Sequence, residues 1–315
     1  MIAFQDPLGQ LPPPASTFAA DHDALFYFLT WVSLGSFALI LGLLVYSSIR
    51  WRRRSEDQLA ASDVTHNTKL EVIWTLVPTV VVIVVFAWGF KGVLPQQVAP
   101  ADARKYRAEA FTYGWNLYHP GETTKSETLY FEVDKPALVS LTSQDVLHAF
   151  YIPAFRAKRD IVPGFRNQIW FQPNRIGEYT LYCAEYCGTG HSLMRKTIHV
   201  VSAEDYAKKP WNVLPETAEG RGEYYYKLNG CAACHSTMKD VRLVGPSFHG
   251  LFGRQGRFDD GSSYTADEAY ITQSIRDPHS QVVESYTKGL MPVFTEAQIN
   301  AEQLADLITW IKTLK

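Results

Sequence analysis

From Ala24 to Ile49 the chain carries no charge. A helix of that length reaches roughly 39 Å at about 1.5 Å per residue, against a bilayer hydrocarbon core of about 30 Å. A second charge-free run, Val72 to Phe90, is bounded by Lys69 and Glu71 on one side and Lys91 on the other. At about 28 Å it lies at the short end of spanning length. Pro78 falls inside this run and predicts a kink, because its missing N–H frees the carbonyl of Trp74. Uncharged stretches this long read as a transmembrane hairpin rather than as buried core helices. Arg50, Arg52, Arg53 and Arg54 between them mark the connecting loop as cytoplasmic, which puts both chain ends outside. The first residues, with Asp6 and Pro12-Pro13-Pro14, lack a basic start followed by a short apolar core. The first helix, rather than a cleavable signal, is therefore expected to target the chain.

Beyond the hairpin the texture changes twice. From about Tyr106 to Val201 short alternating runs appear, such as Leu129, Phe131 and Val133, then Ile169 and Phe171, then Tyr179 and Leu181, with turns at His119-Pro120-Gly121 and Val162-Pro163-Gly164. Period two with such punctuation predicts an all-β sandwich or small barrel. Residues 202–216 are polar, contain Pro210 and Pro215, and read as a linker. The C-terminal remainder is helical: a helix near residues 218–228 whose Tyr224-Tyr225-Tyr226 run packs on the C-terminal helix, and a last segment with Leu304, Leu307, Ile308, Ile311 and Leu314 on one face. The opposite face of that segment holds Glu302, Asp306 and Lys312. The expected layout is an extracytoplasmic segment 1–23, transmembrane helices 24–49 and 72–93 around a cytoplasmic loop 50–71, a β domain 94–201, the linker, and an all-α domain 217–315. The formal net charge of -2 gives no electrostatic case for nucleic-acid binding.

The four cysteines fall in two tight pairs. Cys231-Ala232-Ala233-Cys234-His235 matches the haem c attachment pattern, in which two thiols bond the porphyrin and the next histidine ligates iron. A lone redox dithiol or half a zinc site is the alternative, but no further cysteine pair stands at zinc-finger distance. The far side of the iron needs a second ligand. Met238 is too close in sequence to His235 to cross the ring, whereas Met291, followed by Pro292, is far enough away to return over it. Gly245-Pro246 and Gly250-Leu251-Phe252-Gly253-Arg254 in between resemble the class I cytochrome c pattern over about the last hundred residues.

The other pair lies in Cys183-Ala184-Glu185-Tyr186-Cys187-Gly188-Thr189-Gly190-His191-Ser192-Leu193-Met194, and Asp145-Val146-Leu147-His148 brings a second imidazole from another strand. Two thiolates, two imidazoles and a thioether form a soft set that selects copper, or zinc if the geometry were tetrahedral. Zinc has no use for the methionine, and a disulfide leaves both histidines and Met194 unexplained.

Here the chain resembles cytochrome c oxidase subunit II, from the hairpin to about Val201. The resemblance implies a cupredoxin-like Greek-key β-barrel holding two copper ions bridged by Cys183 and Cys187. It also implies that His148 and His191 each bind one copper, and that Met194 and the carbonyl of Glu185 are weak outer ligands. Thr65-His66-Asn67-Thr68-Lys69-Leu70-Glu71-Val72-Ile73-Trp74 is similar to the family's second helix. That likeness would place Glu71 at the mouth of a proton channel, although Thr68 and Glu71 also form a capping box. Tyr113-Gly114-Trp115 departs from the family's tryptophan, any residue, tryptophan. Tyr113 stands where that family takes electrons from a soluble cytochrome c, and Trp115 comes two residues later. With a haem domain attached, the chain resembles the fused subunits of caa-type oxidases.

The resemblance implies an enzyme subunit that passes electrons from one covalently bound haem c to the copper pair and on to a catalytic partner, where oxygen is reduced to water and protons are translocated. It implies a multi-pass protein of the inner or plasma membrane. Its partners would be oxidase subunit I and other integral membrane subunits, with a donor such as cytochrome c or a quinol-oxidising complex. The equivalent subunit of a nitric oxide reductase and a free-standing membrane electron carrier are the alternatives. A linker of about fifteen residues would hold a mobile haem domain near the copper at an effective concentration of the order of millimolar.

Overall fold

The computed structural model describes residues 9–59, 62 and 64–315. The first eight residues, Asp6 among them, and residues 60, 61 and 63 of the predicted loop lie outside the described residues. The described chain divides into two units, one within 18–99 and the other comprising 9–17 and 100–315.

The first unit is a helical hairpin of α1 (Ala19–Arg50) and α2 (Thr68–Val93). Leu25 lies against Gly89, and the Phe28 and Trp88 rings meet at 5.7 Å, so the helices run antiparallel. Apolar side chains elsewhere on both helices stand open, among them Phe37, Leu39 and Ile40 on α1 and Val82, Ile83 and Phe86 on α2. A surface of that kind is stable against lipid or a partner subunit, not against water. α1 starts ahead of the charge-free run and takes Asp21 into its first turn, where the helix dipole favours an acid. α2 continues unbroken through Pro78. Its cap is Asn67 rather than Thr68: Asn67 is extended, its side chain accepts from Leu70 N–H, and its own N–H donates to Glu71. The reciprocal logic of a capping box is kept, one residue earlier than predicted.

The second unit opens with nine strands: β1 (Arg104–Phe111), β2 (Gly114–Tyr118), β3 (Tyr130–Glu132), β4 (Ala137–Ser143), β5 (His148–Ile152), β6 (Ala157–Ile161), β7 (Asn167–Phe171), β8 (Gly177–Cys183) and β9 (Arg195–Val201). They form a four-stranded sheet in the order β2-β1-β4-β7 and a five-stranded sheet in the order β3-β9-β8-β5-β6. The pairs β1/β4 and β3/β9 are parallel and the rest antiparallel. Alternation drives this, as in β4, where Ala137, Val139 and Leu141 point inward. Between the sheets lie Trp115, Phe131, Phe150, Phe155 and Phe171, all buried. This is the expected cupredoxin-like barrel.

The stretch expected as a free linker is ordered against this barrel. Ser202 caps α3 (Ala203–Ala207), and Tyr206 meets Tyr106 hydroxyl to hydroxyl at 2.9 Å. Trp211 stacks on His119 with ring centroids 4.0 Å apart. The polar, proline-containing composition of a linker is real, but two aromatic residues within it pin it down.

The haem-type domain contains α4 (Ala218–Leu228), the short pair β10 (Gln255–Arg257) and β11 (Ser263–Thr265), α5 (Glu268–Arg276) and α6 (Ala301–Ile311). α4 crosses α6 at Gly222, where any Cβ would run into the Asp306 carbonyl and Trp310. Tyr226 packs on Trp310 as predicted. Asp306 is not on an open face: it is buried in a two-pronged ion pair with Arg221, at 2.7 and 2.9 Å, because the crossing covers that side of α6.

Candidate metal centre and haem cleft

β5 and β8 pair Phe150 with Cys183, which brings His148 at the start of one strand close to the end of the other. The loop after β8 then folds back, with Cys183 N–H bonded to the Met194 carbonyl at 3.0 Å. Six predicted residues converge as a result. The Cys183 and Cys187 sulfurs are 3.9 Å apart, Cys183 Sγ is 3.7 Å from His148 Nδ1, and Cys187 Sγ is 3.5 Å from His191 Nδ1. Met194 Sδ lies 3.9 Å from Cys187 Sγ, and the Glu185 carbonyl 3.2 Å from Cys183 Sγ. Two sulfurs each at about 2.3 Å from a shared ion can be at most about 4.6 Å apart, so this spacing admits bridged metal.

The electrostatics fit the same occupant. Burial pushes the Cys183 thiol up, yet hydrogen bonds from His148 and from the backbone at Ala149 and Glu185 outweigh it and bring it down to about 6. Cys187, buried and beside that thiolate, is pushed up to about 12. A cation between them removes the repulsion, and two thiolates with imidazoles and a thioether suit copper better than zinc.

In the sequence Asp145 stands out only as part of the His148 motif, and the structure gives it a task. Its carboxylate accepts from His148 Nε2 at 2.7 Å, which fixes the ring with Nδ1 toward the sulfur, the nitrogen free to ligate a metal once it gives up the proton it shares with Cys183. The same carboxylate accepts from the Thr112 N–H and hydroxyl at 2.6 and 2.7 Å and from Val146 N–H at 2.7 Å. Thus His148 is tied to the turn between β1 and β2. In that turn Tyr113 lies flat on the metal loop, close enough that a Cβ on Gly188 or Gly190 would overlap its ring. Trp115 instead points into the barrel core and meets Phe150 edge-on at 5.9 Å.

The second cysteine pair lines a cleft in the helical domain together with His235, Met291, Phe248 and Leu251. His235 Nδ1 donates to the Pro246 carbonyl at 2.7 Å, which fixes the tautomer and leaves Nε2 able to ligate. Gly245 is required beside it, since a Cβ there would overlap the imidazole. Burial pushes Cys231 up to about 12 and raises Cys234 as well. Met238 is exposed and outside the cleft. Phe111, Thr112 and Tyr113 of the β domain also line it. Nothing in the sequence singles out Phe111, because only the folded turn makes it a neighbour of Cys231. Glu71 lies at the start of α2, bound to the Asn67 N–H.

Three protein families match the chain. "Cytochrome C oxidase subunit II, transmembrane domain" covers residues 7–91, "Cytochrome C oxidase subunit II, periplasmic domain" residues 123–201, and "Cytochrome c" residues 220–315. Cytochrome c oxidase subunit 2 of Alkalihalophilus pseudofirmus is 25% identical over 301 residues, covering 90% of this chain and 83% of that protein. Cytochrome c oxidase subunit 2 of Synechocystis is 27% identical over 245 residues, covering 63% and 74%. The solved periplasmic domain of cytochrome oxidase subunit II from Bradyrhizobium japonicum is 26% identical, with a TM-score of 0.33, and covers 36% of this chain and 94% of that one. The chain thus carries the transmembrane and periplasmic domains of cytochrome c oxidase subunit II followed by a cytochrome c domain, the layout of a fused membrane subunit of an oxidase.

Proposed function

We propose that this subunit accepts electrons at a haem c bound covalently to Cys231 and Cys234 and delivers them through two copper ions to the catalytic subunit, where oxygen is reduced. When bound, these groups supply one-electron transfer; the chain's part is to hold them still and dry. His235, oriented by the Pro246 carbonyl, and Met291 would hold the haem iron, and a thioether ligand would favour the higher potential of a carrier. Cys183, Cys187, His148 and His191 would hold the copper, with Met194 and the Glu185 carbonyl as weaker donors. Asp145 keeps His148 in the ligating tautomer. Tyr113, which touches the metal loop and lines the haem cleft, stands between the two sites. That shared residue is the observation that carries the reading.

The described residues hold no oxygen-reducing site, so oxidase subunit I and other integral subunits are the partners, with a cytochrome c or a quinol-oxidising complex as donor. The test is the double substitution Cys183→Ser with Cys187→Ser in the assembled oxidase. Its haem should still be reduced by an added donor but no longer be reoxidised by oxygen. A variant shown to lack copper that reoxidises haem at the parental rate would refute this order.

A further inference from the structure

The covalent tether between the two extracytoplasmic domains is short in practice. Tyr206 and Trp211 seat it on the barrel, and Lys209 adds an ion pair with Glu122 at 3.2 Å. Only Asn212, Val213, Leu214, Pro215 and Glu216 separate Trp211 from Thr217, the cap of α4. Five residues span at most roughly 18 Å.

A specific contact lies at the other end of α4. Lys196 of β9 donates to the Lys227 carbonyl at 2.5 Å, and Lys125 donates to the Asn229 side chain at 2.6 Å. Asn229 is buried, and its amide nitrogen is also used, on the Tyr225 carbonyl. Both ammonium groups therefore meet the C-terminal end of α4, where free carbonyls and the helix dipole favour positive charge. Just beyond, Gly230 adopts a left-handed conformation at φ 74° and closes on the β1/β2 turn, so that a Cβ there would touch Phe111 and Gly114. Burial, with Glu127 of the barrel nearby, pushes the Tyr224 hydroxyl up to about 12, as befits a residue covered by the neighbouring domain.

We infer that Lys125 and Lys196 clamp the cytochrome c domain in one pose over the Phe111–Gly114 turn, which closes that face to external cytochromes and leaves the chain's own haem as the sole donor to the copper. The inference rests on the assignment of haem and copper above, and it replaces the mobile tethered domain expected from the linker's composition. A fixed donor transfers without a docking step, so the rate does not depend on salt.

Two measurements on the intact oxidase test this. Hydrogen exchange should find the amides of residues 111–114 and 228–231 protected in the parent. In Lys125→Gln with Lys196→Gln they should exchange at least about tenfold faster, with the β8 core unchanged. Flash reduction of the haem should give a haem-to-copper rate that varies by less than about twofold between about 10 mM and about 0.5 M salt. Parental exchange as fast as that of an open loop, an unaltered double variant, or a rate that falls steeply with salt each overturns the clamp. If metal and haem analysis found either group missing, the electron-transfer reading would fall, while the exchange measurement would still decide whether the domains are clamped.

Discussion

At the scale of single residues, the metal loop shows how much a ligand depends on what stands behind it. Asp145 is held below the usual carboxylate range: burial acts to raise it, but hydrogen bonds from His148, Thr112 and Val146 outweigh that. The charge stays in place to orient His148. Asp145→Asn keeps the shape and loses the charge, and copper affinity should fall by about ten-fold or more, the usual scale for removing the partner of a ligating histidine. Competitive titration with a chelator reads this directly, and the haem spectrum is the internal control. Parental affinity would mean that the carboxylate serves only the turn. The proposed ligands are legible in the sequence because soft side chains are rare and their spacing is short. Asp145 is not, because an acid three residues before a histidine looks like ordinary loop chemistry until the strand direction is known.

At the scale of elements, helices and strands follow from periodicity, and the differences arise where packing overrides composition. Asp306 reads as a surface acid until α4 crosses over it, and residues 202–216 read as a free linker until Trp211 finds His119. His119 accepts from the Tyr130 N–H at 2.9 Å and is buried under Trp211, and burial alone pulls its pKa from 6.5 down to about 3. The folded state therefore needs it neutral. Protonation favours the unfolded side, so its contribution is fully present above about pH 6.5 and is lost as pH falls toward about 3, at up to about 1.4 kcal/mol per pH unit. Thermal unfolding of the barrel, followed by near-ultraviolet circular dichroism, should lose stability across that window. In His119→Gln the slope should be shallower by up to one proton. An unchanged slope would show that the acid sensitivity comes from other groups.

At the scale of the whole molecule, the chain places its apolar surface in one unit and its chemistry in the other. The hairpin leaves apolar side chains uncovered, and the barrel and helical domain each bury a core of their own. Which side of the membrane receives the second unit is decided by charge rather than packing. Arg50, Arg52, Arg53 and Arg54 crowd the α1–α2 connection, and such clusters are retained on the cytoplasmic side at insertion. On that rule both chain ends are expected outside, which agrees with domains matched to a periplasmic family and a cytochrome c. The haem c proposed at Cys231 and Cys234 offers a convenient label for the test. Protease added to right-side-out cells, after the outer layer is permeabilised where one exists, should strip the haem-stained band from the membrane fraction while a cytoplasmic control protein survives. Haem staining as well protected as that control would place the arginine loop outside and reverse the topology.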